Sequence, residues 1–242
     1  MSGDKSARIN DHFASNMRDM TPAHASHAVH VLYVPVSHDP EVTRYCSSVL
    51  SDTELQRADR FASPNDKAGF IQRRAFRRFC GNLVLGKSQP LSQIVFNETE
   101  NGRPYLCDLP DSWFSFSSCS SGFIGVWSST HAIGVDLEDL TEDLETTELA
   151  QHFFSATEAN AVEGADSRQR QQTFFQYWVL KEAALKSIGE GLPFGLDAFE
   201  FELEPDLRVV HAPPDHGVPE RFNAHIIESI DSCAALVMHS LT

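Results

Sequence analysis

Apolar and polar side chains alternate strictly from Ile133 to Glu138, in the segment Ile-Gly-Val-Asp-Leu-Glu. This two-residue repeat predicts a strand that turns one apolar face toward the core of a domain. Asp136 and Glu138 then project side by side from the other face. Neighbouring carboxylates repel each other unless a cation or a proton lies between them. The segment therefore predicts a half-buried strand whose polar face suits a hard divalent cation.

A helix is predicted for residues 172–188, because this stretch is rich in helix-forming residues, lacks proline and internal glycine, and is followed by Gly189. Trp178, Glu182 and Lys186 are spaced by four residues and share one stripe of the helix. Taken alone, Glu182 and Lys186 are typical of an ion pair on a solvated surface. In combination with the paired carboxylates of the strand, Glu182 becomes a candidate third ligand.

The order of the predicted elements indicates an α+β fold with two similar halves, because helices followed by antiparallel strands occur twice. Strands are predicted at 29–36, 94–96, 123–127, 133–138, 199–203, 208–211, 221–227 and 234–239, and helices at 52–61, 67–85, 157–164 and 172–188. Residues 1–28 have low hydrophobicity and show no periodicity, which predicts a disordered tail.

The composition limits the partners and the location of the protein. Its 242 residues carry a net charge of −15, which argues against nucleic acid as a partner, because binding to phosphate backbones depends on Lys and Arg. The five cysteines show no C-x-x-C spacing and the sequence has no secretory leader, so we expect a reducing cytoplasm. No apolar run approaches the roughly 20 residues that span a bilayer, so no membrane association is expected.

The strand segment at 134–138 and the helix segment at 178–186, Trp-Val-Leu-Lys-Glu-Ala-Ala-Leu-Lys, closely resemble two signature motifs of one enzyme family. These are the motifs G-(V/I)-D-x-E and (F/W)-x-x-K-E-A-x-x-K of the Sfp-type 4′-phosphopantetheinyl transferases. Weaker resemblances to the family occur at residues 50–61, 74–81, 102–106 and 153–158, whereas residues 1–28 match nothing in it.

The resemblance implies Mg²⁺-dependent transfer of the phosphopantetheine arm of coenzyme A to a serine of an apo acyl or peptidyl carrier protein, with release of 3′,5′-ADP. Asp136, Glu138 and Glu182 match the metal ligands of the family. Lys186 matches the lysine that contacts phosphate. Glu182, or a metal-bound water that it orients, is the candidate base for the serine proton. Lys181 is assigned a supporting role.

The resemblance also implies a pseudo-dimeric architecture. The N-terminal half then covers residues 29–130, and the C-terminal half covers residues 131–242 and carries the metal site. Coenzyme A is expected in the cleft between the halves, which is a common place for ligand sites. By analogy with the family, the protein is expected to be a monomer.

Positive charge for an anionic substrate is concentrated at Arg73, Arg74, Arg77 and Arg78, which form i, i+4 rows on one predicted helix. By resemblance to the family, Arg74 is the contact to a coenzyme A phosphate, and Arg73 takes this role if the alignment shifts by one residue. Arg103 stands where the family has the lysine of a Gly-Lys-Pro turn and is a further candidate phosphate contact. A solvated helix face is the alternative for the whole cluster.

One residue that the family motif requires is missing. The family carries F-N-x-S-H-(S/T) before the metal strand, and the histidine reaches a phosphate of coenzyme A. In this chain Ser117 matches the serine, and Ser118 occupies the histidine position, or Ser120 does if the register shifts. By this resemblance, Ser117 and Ser118 are candidate contacts to coenzyme A. A hydroxyl donates a hydrogen bond but carries no charge, which predicts weaker binding of the 3′-phosphate. A serine-rich run before a glycine is equally typical of an ordinary loop.

Two other classes of function are consistent with part of these features. One is a non-catalytic module of the same fold that binds coenzyme A or a carrier protein, although such a module has no need for three carboxylates at one site. The other is an unrelated Mg²⁺ phosphohydrolase, which leaves the Lys-Glu-Ala-Ala-Leu-Lys run at 181–186 unexplained.

Overall fold

The computed structural model of the protein describes residues 3–22, 28–86, 89–140, 144–167, 169–228 and 232–241. The helices in these ranges are α1 (Gly3–Asn16), α2 (Pro40–Ser47), α3 (Asp52–Ala58), α4 (Pro64–Val84), α5 (Thr146–Phe153), α6 (Ala156–Gly164) and α7 (Arg170–Ser187). The strands are β1 (Arg18–Asp19), β2 (Val29–Pro35), β3 (Asn97–Glu98), β4 (Pro104–Tyr105), β5 (Trp113–Ser118), β6 (Gly122–Ser128), β7 (Ala132–Asp139), β8 (Glu200–Glu202), β9 (Arg208–His211), β10 (Phe222–Glu228) and β11 (Ser232–His239). The predicted α+β class is confirmed. None of these helices combines the length and the apolar character that a membrane crossing requires.

Two antiparallel sheets form the centre of the fold. The N-terminal sheet has the strand order β1-β2-β6-β5, and the C-terminal sheet has the order β10-β11-β7. Val31 and Val126 of the first sheet share one buried cluster with Val135 and Leu236 of the second, so these apolar faces meet. Because successive side chains alternate across a strand, the opposite faces of both sheets remain for helices.

The helices α4 and α7 cover these opposite faces. Helix α4 packs against β6, and its Phe76 and Phe79 lie in a buried cluster with Phe123. Helix α7 packs against β7 and β11. The resulting order is helix, sheet, sheet, helix, and the polar face of β7 that carries Asp136 and Glu138 is turned toward α7.

Local sequence signals explain where several helices begin. Ser51 and Ser155 each form a capping box with a glutamate three residues later, at the start of α3 and α6. Ser63 caps α4, and Pro64 takes the first helical position, where no amide donor is needed. These caps satisfy amide groups that have no partner within the helix.

The predicted disordered tail is wrong for residues 3–22. Ile9 and Phe13 of α1 are buried, and the Phe13 ring lies 5.3 Å from the Phe79 ring, measured between centroids. Strand β1 then extends the N-terminal sheet by pairing with β2. Two well-placed apolar side chains anchor a segment whose average composition is polar. The rest of the predicted tail (1, 2 and 23–27) lies outside the described residues, and residue 28 is a turn that leads into β2.

Other predicted elements differ in detail. Residues 94–96 do not form a strand, because a short 3-10 turn at Leu91–Gln93 precedes them and pairing starts only at β3. Helices α2 and α5 were not predicted. The serine-rich run is strand β5 as far as Ser118, and only its residues 119–121 form a connection, to β6. All strands of the N-terminal sheet precede residue 130 and all strands of the C-terminal sheet follow it. We therefore propose 29–130, extended by residues 3–22, and 131–242 as the two halves.

Candidate active site

The structure brings the three predicted metal ligands together between β7 and α7. Asp136 and Glu138 are two residues apart on β7, and Glu182 faces them from α7. One carboxylate oxygen from each residue can be chosen so that all three lie within 4.8 Å of one another. Gly134 permits this approach, because its missing side chain lets the backbone of α7 lie directly over the strand. The close packing of the two elements sets the spacing of the carboxylates.

The three carboxylates repel one another when no metal ion is bound, and the pKa shifts of two of them reflect this repulsion. The pKa of Glu138 is raised to about 7, first by burial and then by the charges of Asp136 and Glu182. The pKa of Glu182 is also raised, by burial and then by the charge of Asp136. Asp136 is 2% exposed, and its Oδ2 atom is buried without a hydrogen-bond partner. An orphaned buried oxygen beside two further carboxylates fits a hard divalent cation such as Mg²⁺.

Lys186 lies against the same carboxylates. Its Nζ atom donates to Asp136 Oδ1 at 2.6 Å and lies 3.5 Å from Glu182 Oε2. Burial lowers the pKa of Lys186, but the neighbouring carboxylates outweigh this effect, and the pKa is raised above its ordinary value. The side chain is 29% exposed, so it is only partly enclosed by its neighbours.

Strand β5 connects the carboxylates to the basic helix α4. Ser117 Oγ donates to Asp136 Oδ1 at 2.8 Å, whereas the neighbouring Ser118 accepts a hydrogen bond from Arg73 Nη1 at 2.9 Å. The two serines point to opposite sides because side chains alternate along a strand. Ser117, which the family motif suggested as a coenzyme A contact, is thus placed on a predicted metal ligand. Ser120, the alternative histidine position, lies beyond the end of β5, where its backbone amide donates to Asp139 Oδ2.

Three arginines surround the buried ring of Phe70. The guanidinium carbons of Arg57, Arg73 and Arg74 lie 5.5, 5.7 and 5.4 Å from the ring centroid. Burial lowers the pKa of Arg73, and the charges of Arg74 and Arg57 lower it further, which is the signature of crowded cations. Clustered cations of this kind favour the approach of a polyanion.

The structure refines the assignment of individual arginines. Arg74, the first choice for a phosphate contact, has Nε 3.7 Å from Glu54 Oε1. The fallback Arg73 is the residue that reaches Ser118. Arg57 was not among the predicted site residues, although it lies in α3, within the segment 50–61 that resembles the family. Only the fold shows that this helix faces the basic helix α4.

A cationic cleft lies on the Lys186 side of the carboxylates. It has a volume of about 200 Å³, and its lining includes three cations, Arg77, Arg103 and Lys186, and one carboxylate, Glu190. The guanidinium carbon of Arg103 stacks over the Trp113 ring at 3.9 Å from the centroid. Its lining joins residues of α4, β5 and the turn before β4 to Lys186 of α7 and to residues 189–191 that follow this helix. The predicted phosphate contacts Arg103 and Lys186 are therefore brought together.

An apolar groove lies on the Glu138 side of the carboxylates. It has a volume of about 380 Å³, and it is lined by Glu138 together with Leu144, Leu149, Phe174 and Trp178, among others. The carboxylates thus separate a cationic cleft from an apolar groove, so two different molecules can approach them from different sides.

Lys181 has a structural environment unlike that of its neighbour Glu182. Its side chain is fully buried, and Nζ contacts Glu158 Oε2 at 2.7 Å. It also donates to the carbonyl oxygens of Leu196 at 3.0 Å and Phe199 at 2.6 Å. All three hydrogens of the ammonium group therefore have acceptors. The lysine connects α7 to α6 and to the segment that leads into β8.

Comparison with known proteins identifies the family. The family model described as the 4′-phosphopantetheinyl transferase superfamily matches residues 132–226. The chain is 32% identical over 185 residues to the 4′-phosphopantetheinyl transferase HetI of Nostoc sp.. The aligned region covers 74% of this chain and 76% of HetI. It is also 31% identical over 185 residues to the 4′-phosphopantetheinyl transferase Sfp of Bacillus subtilis, and this aligned region covers 72% of this chain and 81% of Sfp. The chain therefore belongs to the 4′-phosphopantetheinyl transferase superfamily.

Proposed function

We propose that this protein transfers the 4′-phosphopantetheine arm of coenzyme A to a serine hydroxyl of an apo acyl or peptidyl carrier protein, and that it requires Mg²⁺. The observation that carries the proposal is the group of three carboxylates within 4.8 Å of one another, next to the Lys186 ammonium. A diphosphate is an oxygen-rich anion, and carboxylates, phosphate oxygens and water together provide the ligands that Mg²⁺ prefers.

In this proposal Asp136, Glu138 and Glu182 hold the metal, which on binding offsets negative charge on the diphosphate. The serine oxygen forms a bond to the phosphorus that carries the pantetheine arm, and the bond from this phosphorus to the bridging diphosphate oxygen breaks. The products are the modified carrier protein and 3′,5′-ADP. Glu182, or a water that it orients, accepts the serine proton. Lys186 donates a charged hydrogen bond to a phosphate oxygen.

The two openings beside the carboxylates suit the two substrates. We assign the cationic cleft at Arg103 and Lys186 to the nucleotide end of coenzyme A, because its phosphates need cations. The arginines around Phe70 extend this positive region, and Arg74 and Arg73 are both candidates for the 3′-phosphate. Ser118 lies next to Arg73 and can donate to the same phosphate, so we propose that Arg73 supplies the charge that a serine lacks.

The acceptor side is assigned to the apolar groove at Glu138. In this proposal the serine enters through the groove while the diphosphate lies in the cleft, so the attacking and leaving groups reach the carboxylates through different openings. A location in the reducing cytoplasm is part of the proposal, because all five cysteines are free thiols. We also propose that the protein acts as a monomer.

The test is the intact mass of an apo carrier protein after incubation with coenzyme A, Mg²⁺ and this protein. A mass gain of one phosphopantetheine group is expected, and it should disappear with Asp136→Asn, Glu138→Gln and Glu182→Gln. Glu163→Gln is the matched control, because this exposed carboxylate on α6 lies outside the site.

The alternatives give different results in the same experiment. A binding module of the same fold retains coenzyme A or the carrier protein without any mass gain. A phosphohydrolase cleaves coenzyme A in the absence of a carrier protein. Either result overturns the proposed function.

A further inference from the structure

The ammonium group of Lys186 occupies the position between two of the proposed metal ligands. Nζ lies 2.6 Å from Asp136 Oδ1 and 3.5 Å from Glu182 Oε2. Asp136 Oδ1 also accepts the Ser117 hydroxyl, so this oxygen is fully engaged in the metal-free protein. When no metal ion is bound, Lys186 therefore supplies the positive charge that offsets the repulsion between Asp136 and Glu182.

A divalent cation that binds Asp136, whether at the unpartnered Oδ2 or at Oδ1, lies close to the Lys186 ammonium group, and like charges repel each other strongly at a partly buried site. We propose that Lys186 is an internal counter-ion of the metal-free enzyme, and that it must leave Asp136 when the divalent cation binds. This inference rests on the metal site of the proposed function. It adds that the ion competes with a residue of the protein itself.

The structure also provides a destination for the displaced side chain. Lys186 is on the last turn of α7 and lines the cationic cleft together with Arg77 and Arg103. Lysine has a flexible four-carbon stem, so its ammonium group can move while the helix stays in place. A phosphate group in the cleft offers new acceptors at the moment when Asp136 is taken by the metal. The diphosphate and the metal ion therefore assist each other's binding through Lys186, in addition to any direct contact between them.

Binding of Mn²⁺, followed by the electron paramagnetic resonance of the free ion, tests the inference without any turnover. Without coenzyme A, Lys186→Met should bind Mn²⁺ about tenfold more tightly than the wild type, because the competing charge is gone. Lys186→Arg keeps the charge and should stay close to the wild type. Arg103→Gln removes a cation from the same cleft that is not paired with Asp136 or Glu182, and a change below about threefold is expected.

The same titration with saturating coenzyme A measures the coupling, after correction for Mn²⁺ bound by coenzyme A alone. Coenzyme A should tighten Mn²⁺ binding more in the wild type than in Lys186→Met, because only the wild type gains from moving the lysine. Trace acetylation of the wild-type protein provides a measurement that needs no variant. Mn²⁺ alone should increase the labelling of Lys186 at fixed pH, as its ammonium group leaves the carboxylates.

Equal Mn²⁺ affinity in the wild type and Lys186→Met, or unchanged labelling of Lys186, overturns the counter-ion role and leaves the metal site intact. An equal gain in Arg103→Gln and Lys186→Met also overturns it, since general electrostatics then explains the effect. The absence of Mn²⁺ binding in every variant, with and without coenzyme A, removes the metal site itself and the inference with it.

Discussion

Gly134 of β7 lies so close to Ala183 of α7 that a Cβ atom on the glycine would be 1.9 Å from the carbonyl oxygen of Ala183. Real side chains never approach backbone atoms this closely, so any substitution has to move the helix. Because Glu182 is the preceding residue of α7, its distance from Asp136 depends directly on this contact.

Gly134→Ala is therefore expected to lower the thermal stability and also to weaken binding of divalent cations, as α7 is pushed away from β7. Calorimetric unfolding and a Mn²⁺ titration measure the two effects. Gly69→Ala is the matched control, because Gly69 in α4 has open space at its Cβ position, and the change should be neutral or stabilising by up to about 1 kcal/mol. Unchanged Mn²⁺ affinity in a folded Gly134→Ala protein contradicts the proposed role of the contact.

Ser117→Ala separates two roles of this serine. Its hydroxyl donates to Asp136 Oδ1, so we expect weaker Mn²⁺ binding by about 1 kcal/mol, the usual size of a hydrogen-bond contribution, with little change in the KM for coenzyme A. Ser115→Ala is the control, because Ser115 accepts from the Val135 amide on the same side of β5 without touching a metal ligand. The opposite pattern, a raised KM with normal Mn²⁺ binding, would show that Ser117 contacts the substrate.

Arg73→Ala should weaken coenzyme A by about 1.5 to 3 kcal/mol, as expected for a lost hydrogen bond to a charged group, and should weaken 3′-dephospho-coenzyme A much less. The reason is its contact with Ser118 at the position of the missing histidine. Arg74→Ala provides the comparison, and Arg44→Ala, on an exposed helix-surface ion pair, is the control. A larger effect of Arg74→Ala would restore the register that the family motif suggested.

Phe13→Ala tests whether α1 belongs to the folded core. The ring is fully buried against Phe76 and Phe79, so the free energy of unfolding should fall by about 3 to 5 kcal/mol. Ser15→Ala, at an exposed position of the same helix, should have little effect. Urea denaturation measures both, and equal stabilities would mean that α1 is not a structural part of the protein.

The pH dependence of the metal-free protein follows from Glu138. Its pKa in the folded protein is about 7, above the ordinary value of 4.5, so the folded state holds this proton more tightly than the unfolded state. The resulting stabilisation is present at low pH and is lost as the pH rises from about 4.5 through about 7. Mg²⁺ should therefore raise the melting temperature more at about pH 8 than at about pH 5.5, since at low pH it must displace the proton. Glu138→Gln should remove the part of the pH dependence that Glu138 contributes, and an unchanged profile would contradict this assignment.

Periodicity predicted the elements that carry the carboxylates, because β7 alternates strictly and α7 is rich in helix-forming residues. Strand β5 was not predicted, although Phe114 and Phe116 alternate with Ser115 and Ser117, because a serine-rich run before a glycine is also typical of a loop. Ser115 and Ser117 look like loop residues, yet they are satisfied by the backbone and side chains of β7. Hydrophobic periodicity also failed to predict α1, because Ile9 and Phe13 are too few to create a recognisable pattern, and only their burial in the structure shows that the helix belongs to the core.

The contact partners of individual charged side chains could not be predicted from the sequence, for a different reason. Arg73 and Arg74 are adjacent, and a one-residue uncertainty in alignment exchanges them. Which of the two reaches Ser118 depends on the rotation of α4 above β5. Similarly, Glu158 could be recognised as part of a helix cap, but its pairing with Lys181 joins segments whose proximity only the fold establishes.

The buried pair of Lys181 and Glu158 has a consequence for the orientation of α7. Buried apolar residues are distributed around much of this helix, so hydrophobic burial alone does not select one angle of rotation about its axis. The Lys181 ammonium, in contrast, is satisfied only where Glu158 and the carbonyl groups of Leu196 and Phe199 surround it. Consecutive helical residues are about 100° apart, so fixing Lys181 also fixes the direction in which Glu182 points. A fully buried charge thereby orients the neighbouring Glu182 toward Asp136 and Glu138.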